Sequence, residues 1–345
     1  MKIFSLLYIA CIFASCLNPG TPSVEKTVVS DSISTTSQPS PDSSVLTPVI
    51  ISLDTALYEN KMLQLVHQNP NDKWPVKTPY PLPGALLPFN RIIAYYGNLY
   101  SKDMGILGEL PPDEVLSELQ KEVNKWSAAD TSTPVIPALH YIAVTAQKDP
   151  GAGKKYRLRM PFNQIDKILE MAQKIDAIVF LDIQVGHSSL EEEIPNLEPY
   201  LLMPNVHLGI DPEFSMKNRK VPSSSIGTFD AADINYATGY LAQLVKDHHL
   251  PPKILVVHRF TRNMLTNYED ILTQPEVQIV MDMDGFGFPA KKITTYNNSV
   301  AKEPVQFTGF KIFYKNDTED RKWPEVMQPA EVLALYPVPV YIQYQ

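Results

Sequence analysis

Residues Val206–Phe214 read VHLGIDPEF, an apolar run that ends in two acidic residues, Asp211 and Glu213. An apolar run of this length is typical of a buried strand, and side chains along a strand alternate between its two faces. The two acids stand two positions apart, so a strand that continued to Phe214 would present both on one face. The stretch therefore predicts a buried strand whose C-terminal end delivers two carboxylates to one place.

Similar runs, rich in β-branched and aromatic residues, recur from about Arg91 onward, and segments of helical periodicity separate most of them. This alternation predicts parallel strands joined by crossover helices. The predicted strands are Ile92–Gly97, Val135–Ala146, Ala177–Gly186, Val206–Phe214, Ile254–Phe260, Val277–Asp284, Gly309–Tyr314 and Val338–Tyr344. The predicted helices are Asp113–Trp126, Phe162–Lys174, Leu190–Leu202, Ala231–His249, Arg262–Leu272 and Pro329–Leu335, with Ser188 and Asp230 as caps of the third and fourth and only weak helical character in Lys291–Val300.

Eight strands in residues 91–345 match the size of a (β/α)8 barrel, for which roughly 250 residues is typical. A doubly wound open sheet is the alternative, but such a sheet usually carries a Gly-rich phosphate-binding turn between a strand and a helix. The nearest candidate, GAGKK at residues 151–155, has neither the dinucleotide nor the P-loop spacing. The sequence therefore predicts an α/β protein with a TIM-type (β/α)8 barrel, its first strand near residues 92–97 and its last at the C-terminus.

Three segments precede the predicted barrel. Residues 1–16, MKIFSLLYIACIFASC, carry one Lys, an apolar run and small residues before a Cys. This layout is typical of an export signal, and the run is shorter than a membrane span of roughly 20 residues. Residues 17–47 have the Ser, Thr and Pro content of a solvated tether. Residues 48–90 hold a helix candidate, Thr55–His67, and apolar residues around Trp74, which predict an extension packed on the barrel.

The end of the signal, Phe13-Ala14-Ser15-Cys16, resembles the lipobox of bacterial lipoproteins, although Phe13 stands where Leu is usual. In lipoproteins the Cys is lipidated and becomes the first residue of the mature chain. The resemblance implies an exported protein held on the bacterial cell envelope by a lipid anchor at Cys16. The alternative is an ordinary secretory signal in which this Cys is incidental.

The chain is acidic, with 38 Asp and Glu residues against 30 Lys and Arg and a net charge of -8. An acidic surface does not attract nucleic acid or anionic lipid, so neither is expected as a main partner. The two cysteines, Cys11 and Cys16, both precede the predicted barrel, which excludes a disulfide framework or a cysteine metal site there. We expect a monomer that acts on a glycan or another neutral small substrate.

Polar residues collect at the C-terminal ends of the predicted strands, where (β/α)8 barrels carry their sites. Strand alternation pairs Asp182 with Gln184 and Asp282 with Asp284 on single faces. Buried carboxylates are costly unless paired or protonated, so such a cluster indicates function more than stability. The alternative is that individual acids cap strand ends or pair with Arg259 and Lys311. The candidates are Tyr95, Tyr96, His140, Asp182, Gln184, His187, Asp211, Glu213, His258, Arg259, Asp282, Asp284, Lys311 and Tyr314.

The reaction that suits these acids best is glycoside cleavage. It needs one carboxylic acid that protonates the leaving oxygen and a second that serves as nucleophile, base or stabiliser. Glu213 is the predicted acid, Asp211 is expected to raise its pKa and orient it, and Asp282 or Asp284 would be the second group. No cofactor or metal is expected. The predicted substrate-binding residues are Tyr95, Tyr96, His140, Asp182, Gln184, His187, His258, Arg259, Lys311 and Tyr314, with Phe286 and Phe288 as further aromatic surfaces.

Three short motifs resemble the chitinase-like barrel family: IIAYYG at 92–97, GIDPE at 209–213 and IVMDMDGFG at 279–287. In that family the fourth strand ends in Asp-x-Glu and the sixth carries Met-x-Tyr-Asp. The motifs cover a small part of the chain, which departs from the family at Leu208 and Gly209, where further acids are usual, and at Met283, where the family has Tyr.

The chitinase-like resemblance implies a glycoside hydrolase in which Glu213 is the acid, Asp211 is its supporting residue and Asp284 helps to position an N-acetyl group. The chain also resembles bacterial surface lipoproteins that share the LGIDPE and MDGFG motifs, for which no activity is implied.

Two other functions fit the same residues. A metal-dependent hydrolase would use histidines and aspartates of the strand ends, although no HxH or HExxH spacing is present. A non-catalytic glycan-binding protein would use the acids only as hydrogen-bonding groups for sugar hydroxyls. The candidate metal ligands are His140, His187, His258, Asp182, Asp211 and Asp282.

Overall fold

Eight parallel strands form a closed barrel, which confirms the predicted fold class. The structure, a computed structural model, describes residues 52–320 and 322–345. The first strand pairs in parallel with both the second and the last, and these pairings close the barrel. The barrel strands are β1 Arg91–Gly97, β2 Val135–Ala146, β3 Ile178–Ile183, β4 Val206–Ile210, β5 Lys253–Arg259, β6 Val277–Met283, β7 Phe307–Ile312 and β8 Tyr341–Tyr344.

Helices surround the barrel and pack on its outer face, except for the first, which lies at one end of the barrel. Together with outward-facing strand residues they form one large apolar cluster. The helices are α1 Thr55–Gln64, α2 Pro112–Ala129, α3 Phe162–Gln173, α4 Leu190–Glu193, α5 Glu198–Leu201, α6 Ala231–His248, α7 Pro289–Tyr296 and α8 Pro329–Leu333. The predicted signal at residues 1–16, its Cys16 and the tether at 17–47 lie outside the described residues. Within the described part of the chain, no helix combines the length and apolar character needed to cross a bilayer.

One predicted helix, Arg262–Leu272, is wrong. The chain there forms a 3-10 turn, a two-residue strand Leu265–Thr266 and a second 3-10 turn. Leu265–Thr266 pairs with Phe229–Asp230, and the Asp230 carboxylate accepts hydrogen bonds from Thr266 Oγ1 and Asn267 Nδ2. Asn267 adopts a left-handed conformation with φ of 56°. These contacts outweigh the local helical pattern.

The third predicted helix, Leu190–Leu202, is broken rather than continuous. It consists of α4, a 3-10 turn at Ile194–Leu197 and α5. Pro195 and Pro199 lack the backbone N–H that a continuous helix would need, so each begins a new turn. Ser188 is not the cap of α4, because Ser189 holds that position. Asp230 does cap α6, where it forms a reciprocal capping box with Asp233.

The crossover between β6 and β7 is more helical than the sequence indicates. Residues Pro289–Tyr296 form α7, and the chain continues as a π-helical turn at Asn297–Ala301. Tyr296 is fully buried, and its hydroxyl donates to the Pro337 carbonyl at 2.5 Å. Tertiary packing of this kind stabilises a helix that local propensity alone does not predict.

The N-terminal segment of the described chain closes one end of the barrel. Tyr58, Met62 and Leu87 join the apolar cluster of the barrel interior. Gln278, near the start of β6, donates to the Leu87 carbonyl at 2.6 Å and accepts from the Leu87 N–H at 3.1 Å. The segment therefore covers the N-terminal ends of the strands, and the C-terminal ends remain available for a site.

Candidate active site

A cavity of about 680 Å³ lies at the C-terminal ends of the barrel strands. Its volume falls within the range of roughly 300 to 1,000 Å³ that is usual for ligand sites. Apolar side chains, including Phe214, Phe260 and Phe313, form part of its wall. Of the predicted site residues, the cavity is lined by Tyr96, Gln184, Asp211, Glu213, Asp284 and Lys311.

A tight turn after β4 positions both acids of the VHLGIDPEF stretch. The strand ends at Ile210 rather than at Phe214, because Pro212 cannot donate to a strand ladder and Pro212–Phe214 form a 3-10 turn. Asp211 caps this turn and accepts a hydrogen bond from the Glu213 N–H at 3.0 Å. Both carboxyls reach the cavity through this turn, and strand alternation is not the cause.

Glu213 has the environment of a proton donor. Burial raises its pKa from the usual 4.5 to about 7, with a further contribution from the negative charge of Asp284. Among the described residues, none forms a hydrogen bond with the Glu213 carboxyl, which leaves its proton available to a ligand. Asp211 was expected to raise the pKa of Glu213, but burial and Asp284 have the larger effects.

Asp284 is held as a carboxylate by a neighbouring cation. Its Oδ1 lies 3.1 Å from Lys311 Nζ, and the ammonium group also lies 3.9 Å from the centre of the Tyr96 ring. Burial alone would raise the pKa of Asp284, but the charge of Lys311 and the contact with His258 outweigh it and lower that pKa. The cavity therefore combines a neutral acid and an ionised one.

Asp211 is the more deeply buried acid of the turn. It is 3 % exposed, and burial raises its pKa well above the usual range. Its Oδ1 is occupied by the Glu213 N–H. A protonated carboxyl of this kind can donate one hydrogen bond and orient a neighbour, but it is a weak base.

Beneath the cavity, four buried side chains meet inside the barrel. His140 Nε2 lies 3.5 Å from Asp182 Oδ1, and His258 Nε2 lies 3.7 Å from the same oxygen. His258 Nδ1 lies 3.3 Å from both Asp282 Oδ2 and Asp284 Oδ2. Tyr96 donates from its hydroxyl to Asp182 Oδ2 at 3.1 Å, which joins this cluster to the cavity wall.

Burial lowers the pKa of His140 to about 4, so its imidazole is neutral. Burial also disfavours the His258 cation, but the carboxylates of Asp282 and Asp284 outweigh burial and raise the pKa of His258. The pKa values of the two histidines therefore shift in opposite directions. Carboxylates flank both ring nitrogens of His258, whereas the second ring nitrogen of His140 lies beside the Tyr341 hydroxyl.

Four predicted site residues belong neither to the cavity wall nor to the buried cluster beneath it. Tyr95 and Arg259 each stand next to an inward-facing residue of their strand, so their own side chains point outward. The Tyr95 hydroxyl contacts the Tyr314 hydroxyl at 3.1 Å, and Arg259 donates to the Arg262 carbonyl at 2.8 Å. Tyr314 itself packs on the outer face, against Tyr344. His187 contacts the Lys220 carbonyl through Nε2 at 2.7 Å.

The metal-ligand set predicted from the sequence is only partly assembled. His140, Asp182 and His258 offer ligand atoms within 4.8 Å of one another. Asp282 contacts the other side of His258, whereas His187 and Asp211 are not members of this group.

Several lining residues were not predicted from the sequence. Thr145 belongs to β2, and Lys291 and Thr295 belong to α7. The others come from the segments that follow the strands, whose sequence carries little information about direction. Tyr341 of β8 was also missed, although period-two alternation could have indicated it; its hydroxyl accepts a hydrogen bond from Gln343 Nε2 at 2.8 Å. The unpredicted lining residues include Asp103, Met104, Thr145, Ser223, Phe260, Lys291, Thr295, Phe313 and Gln345.

No protein-family model matches the sequence, and no curated protein matches it. The barrel is similar to several solved structures at low identity. The spore coat polysaccharide biosynthesis protein SpsE of Bacillus subtilis has 13 % identity and a TM-score of 0.36, covering 74 % of this chain and 59 % of its own. A ruminal GH26 endo-β-1,4-mannanase has 11 % identity and a TM-score of 0.33, covering 74 % and 58 %.

The HPPK-DHPS protein of Plasmodium falciparum, solved with pteroate, has 11 % identity and a TM-score of 0.37, covering 84 % of this chain and 52 % of its own. The present chain therefore spans between about half and three fifths of the length of these structures. At such identities and TM-scores the likeness carries no information on activity.

Proposed function

We propose that this chain is a glycoside hydrolase with Glu213 as general acid and Asp284 as the second carboxyl. The observation that carries the proposal is the pairing of a protonated acid with an ionised one on the wall of a single cavity. Glu213 has a pKa of about 7, and Asp284 is ion-paired with Lys311 at 3.1 Å. Two carboxyls with opposite protonation states are what acid-catalysed glycoside cleavage requires.

In the proposed reaction the Glu213 carboxyl transfers its proton to the glycosidic oxygen as the bond to the anomeric carbon breaks. Asp284 faces the positive charge that develops on the sugar, as nucleophile, base or stabiliser. Lys311 keeps Asp284 ionised before substrate arrives. Asp282 was an equal candidate from the sequence, but it is fully buried below the cavity and does not line it.

The cavity wall suits a neutral ring with one apolar face. Phe286 is 51 % exposed and, with Phe260 and Phe313, supplies aromatic surface on which a sugar can stack. Gln184 and Thr145 supply neutral hydrogen-bonding groups on the same wall. Lys291 is the further cation there, and its Nζ lies 4.9 Å from the Phe286 ring centre.

A pH profile on an active glycan tests the assignment of the acid. The general acid must be protonated, so kcat/KM should fall about tenfold for each pH unit above about 7. Below about pH 7, kcat/KM should stay constant until the pH is low enough to protonate the second carboxyl. The measurement is release of reducing ends from a panel of neutral oligosaccharides across pH 4 to 9. Activity that rises through pH 7 would contradict a protonated Glu213, and no cleavage of any glycan would contradict the function.

We also propose that the protein is exported and anchored by lipid at Cys16. Support comes from the lipobox-like residues 13–16 and the Ser, Thr and Pro tether that follows. The full chain expressed in a bacterial host should yield an acylated Cys16 as the first residue of the mature protein in mass spectrometry. Cys16→Ser should release the protein from the membrane fraction. An unacylated N-terminus that begins elsewhere would contradict this proposal.

A further inference from the structure

We propose that His140, Asp182 and His258 bind one divalent transition-metal ion of the zinc class inside the barrel, beneath the cavity. The inference goes beyond glycoside cleavage and stands without it, because it concerns a different group of side chains. Two imidazoles and one carboxylate are a donor set that zinc and similar borderline cations prefer.

Two of the three distances between the donors match those around a tetrahedral ion. His140 Nε2 and His258 Nε2 lie 3.5 Å and 3.7 Å from Asp182 Oδ1, and ligand atoms of all three residues lie within 4.8 Å of one another. With metal bonds of about 2.0 to 2.2 Å, neighbouring ligands of a tetrahedral ion are roughly 3.4 Å apart. Both histidine nitrogens therefore already lie near this spacing from Asp182 Oδ1, and the two nitrogens lie within 4.8 Å of each other.

These donor atoms have no other partner among the described residues. His140 Nε2, Asp182 Oδ1 and both ring nitrogens of His258 are buried and form no hydrogen bond. The three side chains are 0 % exposed. Buried polar atoms are almost always paired, so three unpaired atoms that face one another indicate a bound species between them.

Gly209 on β4 provides the space for that species. A Cβ atom at this position would lie 2.3 Å from His140 Nε2 and 2.6 Å from Asp182 Oδ1. The missing side chain thus leaves a volume at about bonding distance from two of the three donors. Any other residue at position 209 would fill it.

Contacts behind the donors orient them as metal ligands. His140 Nδ1 lies 2.6 Å from the Tyr341 hydroxyl, and His258 Nδ1 lies 3.3 Å from the carboxylates of Asp282 and Asp284. Metal-binding histidines typically donate their second N–H to such oxygens, which directs the free lone pair of the other nitrogen to the ion. Both histidines here would present Nε2 to the ion.

Charge balance also favours a divalent cation. Asp182, Asp282 and Asp284 bring three carboxylates into a space where Lys311 is the neighbouring lysine. Lys311 neutralises one of these three negative charges, and one divalent ion would neutralise the other two. A proton on His258 Nε2 is the competing arrangement, and it excludes a metal bond at that atom.

Cobalt titration of the purified full chain distinguishes the two arrangements. After dialysis against a chelator, Co²⁺ should bind at one ion per chain and give the intense visible absorption of a tetrahedral site, and Zn²⁺ should displace it. Zn²⁺ should also raise the melting temperature of the wild-type protein. Failure of Zn²⁺, Co²⁺, Ni²⁺ and Mn²⁺ to bind stoichiometrically would overturn the proposal and favour a protonated His258.

Variants locate the ion. Asp182→Asn and Gly209→Ala should each weaken Co²⁺ binding at least tenfold, the first by removing a charged donor and the second by filling the space. His187→Gln and Gly239→Ala are matched controls, because His187 lies outside the cavity and a Cβ at Gly239 meets nothing within 4 Å. If Asp182→Asn or Gly209→Ala fails to fold, His140→Phe, which keeps the stacking on Phe180, replaces it.

Binding that survives in all folded ligand variants would overturn the placement. Glu213→Gln separates this proposal from the glycosidase proposal. It should retain the metal whether or not it retains activity, because Glu213 is not among the donors.

Discussion

Glu213→Gln should lower turnover on a cleaved glycan by about 10²- to 10⁴-fold, because glutamine cannot transfer the proton that the leaving oxygen needs. The substitution keeps the size of the side chain and the backbone contact between the Glu213 N–H and Asp211. KM should change little, since the cavity keeps its shape. The measurement is kcat and KM on the most active substrate at pH 6, where wild-type Glu213 is protonated.

The same substitution should stabilise the protein at high pH, which shows that lost activity is not lost folding. The folded-state pKa of about 7 lies above the usual 4.5, so the folded protein resists ionisation of this carboxyl. The associated stability is complete below pH 4.5 and is lost as the pH rises through 7. At pH 8, Glu213→Gln should therefore gain up to about 3 kcal/mol in urea unfolding, and almost nothing at pH 4.5.

Glu191→Gln is the matched control, because Glu191 is an exposed glutamate outside the cavity wall. It should leave turnover unchanged. Near-normal turnover of Glu213→Gln would remove Glu213 from the role of acid. A stability gain that is equal at pH 4.5 and pH 8 would instead show that the pKa of Glu213 is not raised.

Alternation along strands carried most of what the sequence could tell about the barrel and its site. The inward positions of β3 and β6 follow from period two, and Asp182, Asp282 and Asp284 converge as that period requires. The same rule separates Tyr96, which lines the cavity, from Tyr95, which packs outside it. Applied strictly, alternation would also have excluded Arg259, the neighbour of His258.

The details beyond the strand ends depended on features that periodicity does not contain. Pro212 ends β4 early and converts the expected strand into a capped turn. Pro195 and Pro199 divide a predicted helix into short turns. Contacts with Asp230 hold residues 265–267 beside a two-residue strand, where another helix was predicted. Long-range contacts decide each of these outcomes, so local propensity could not predict them.

Lys292 links the loop after β6, which carries Asp284, to the end of β7, which carries Lys311. Its ammonium group donates to the Gly285 carbonyl at 3.0 Å, to the Lys311 carbonyl at 2.7 Å and to Asp317 Oδ2 at 2.7 Å. Asp317 in turn accepts from the Gly287 N–H at 2.8 Å. Lys292 and Asp317 are 1 % and 3 % exposed, so this pair is shielded from water.

Lys292→Met should destabilise the protein by about 3 to 5 kcal/mol, because it leaves the Asp317 carboxylate buried without its cation. Adding Asp317→Asn should recover part of this loss, since the double variant buries no net charge. The measurement is the free energy of unfolding in urea at pH 7 for both single variants and the double variant. Lys291→Met is the control for stability, because Lys291 is exposed and its replacement should change the free energy of unfolding by less than about 0.5 kcal/mol.

A loss below about 1 kcal/mol for Lys292→Met would mean that the loops after β6 and β7 do not depend on this ion pair. Asp284 and Lys311 would then owe their positions to the barrel strands alone.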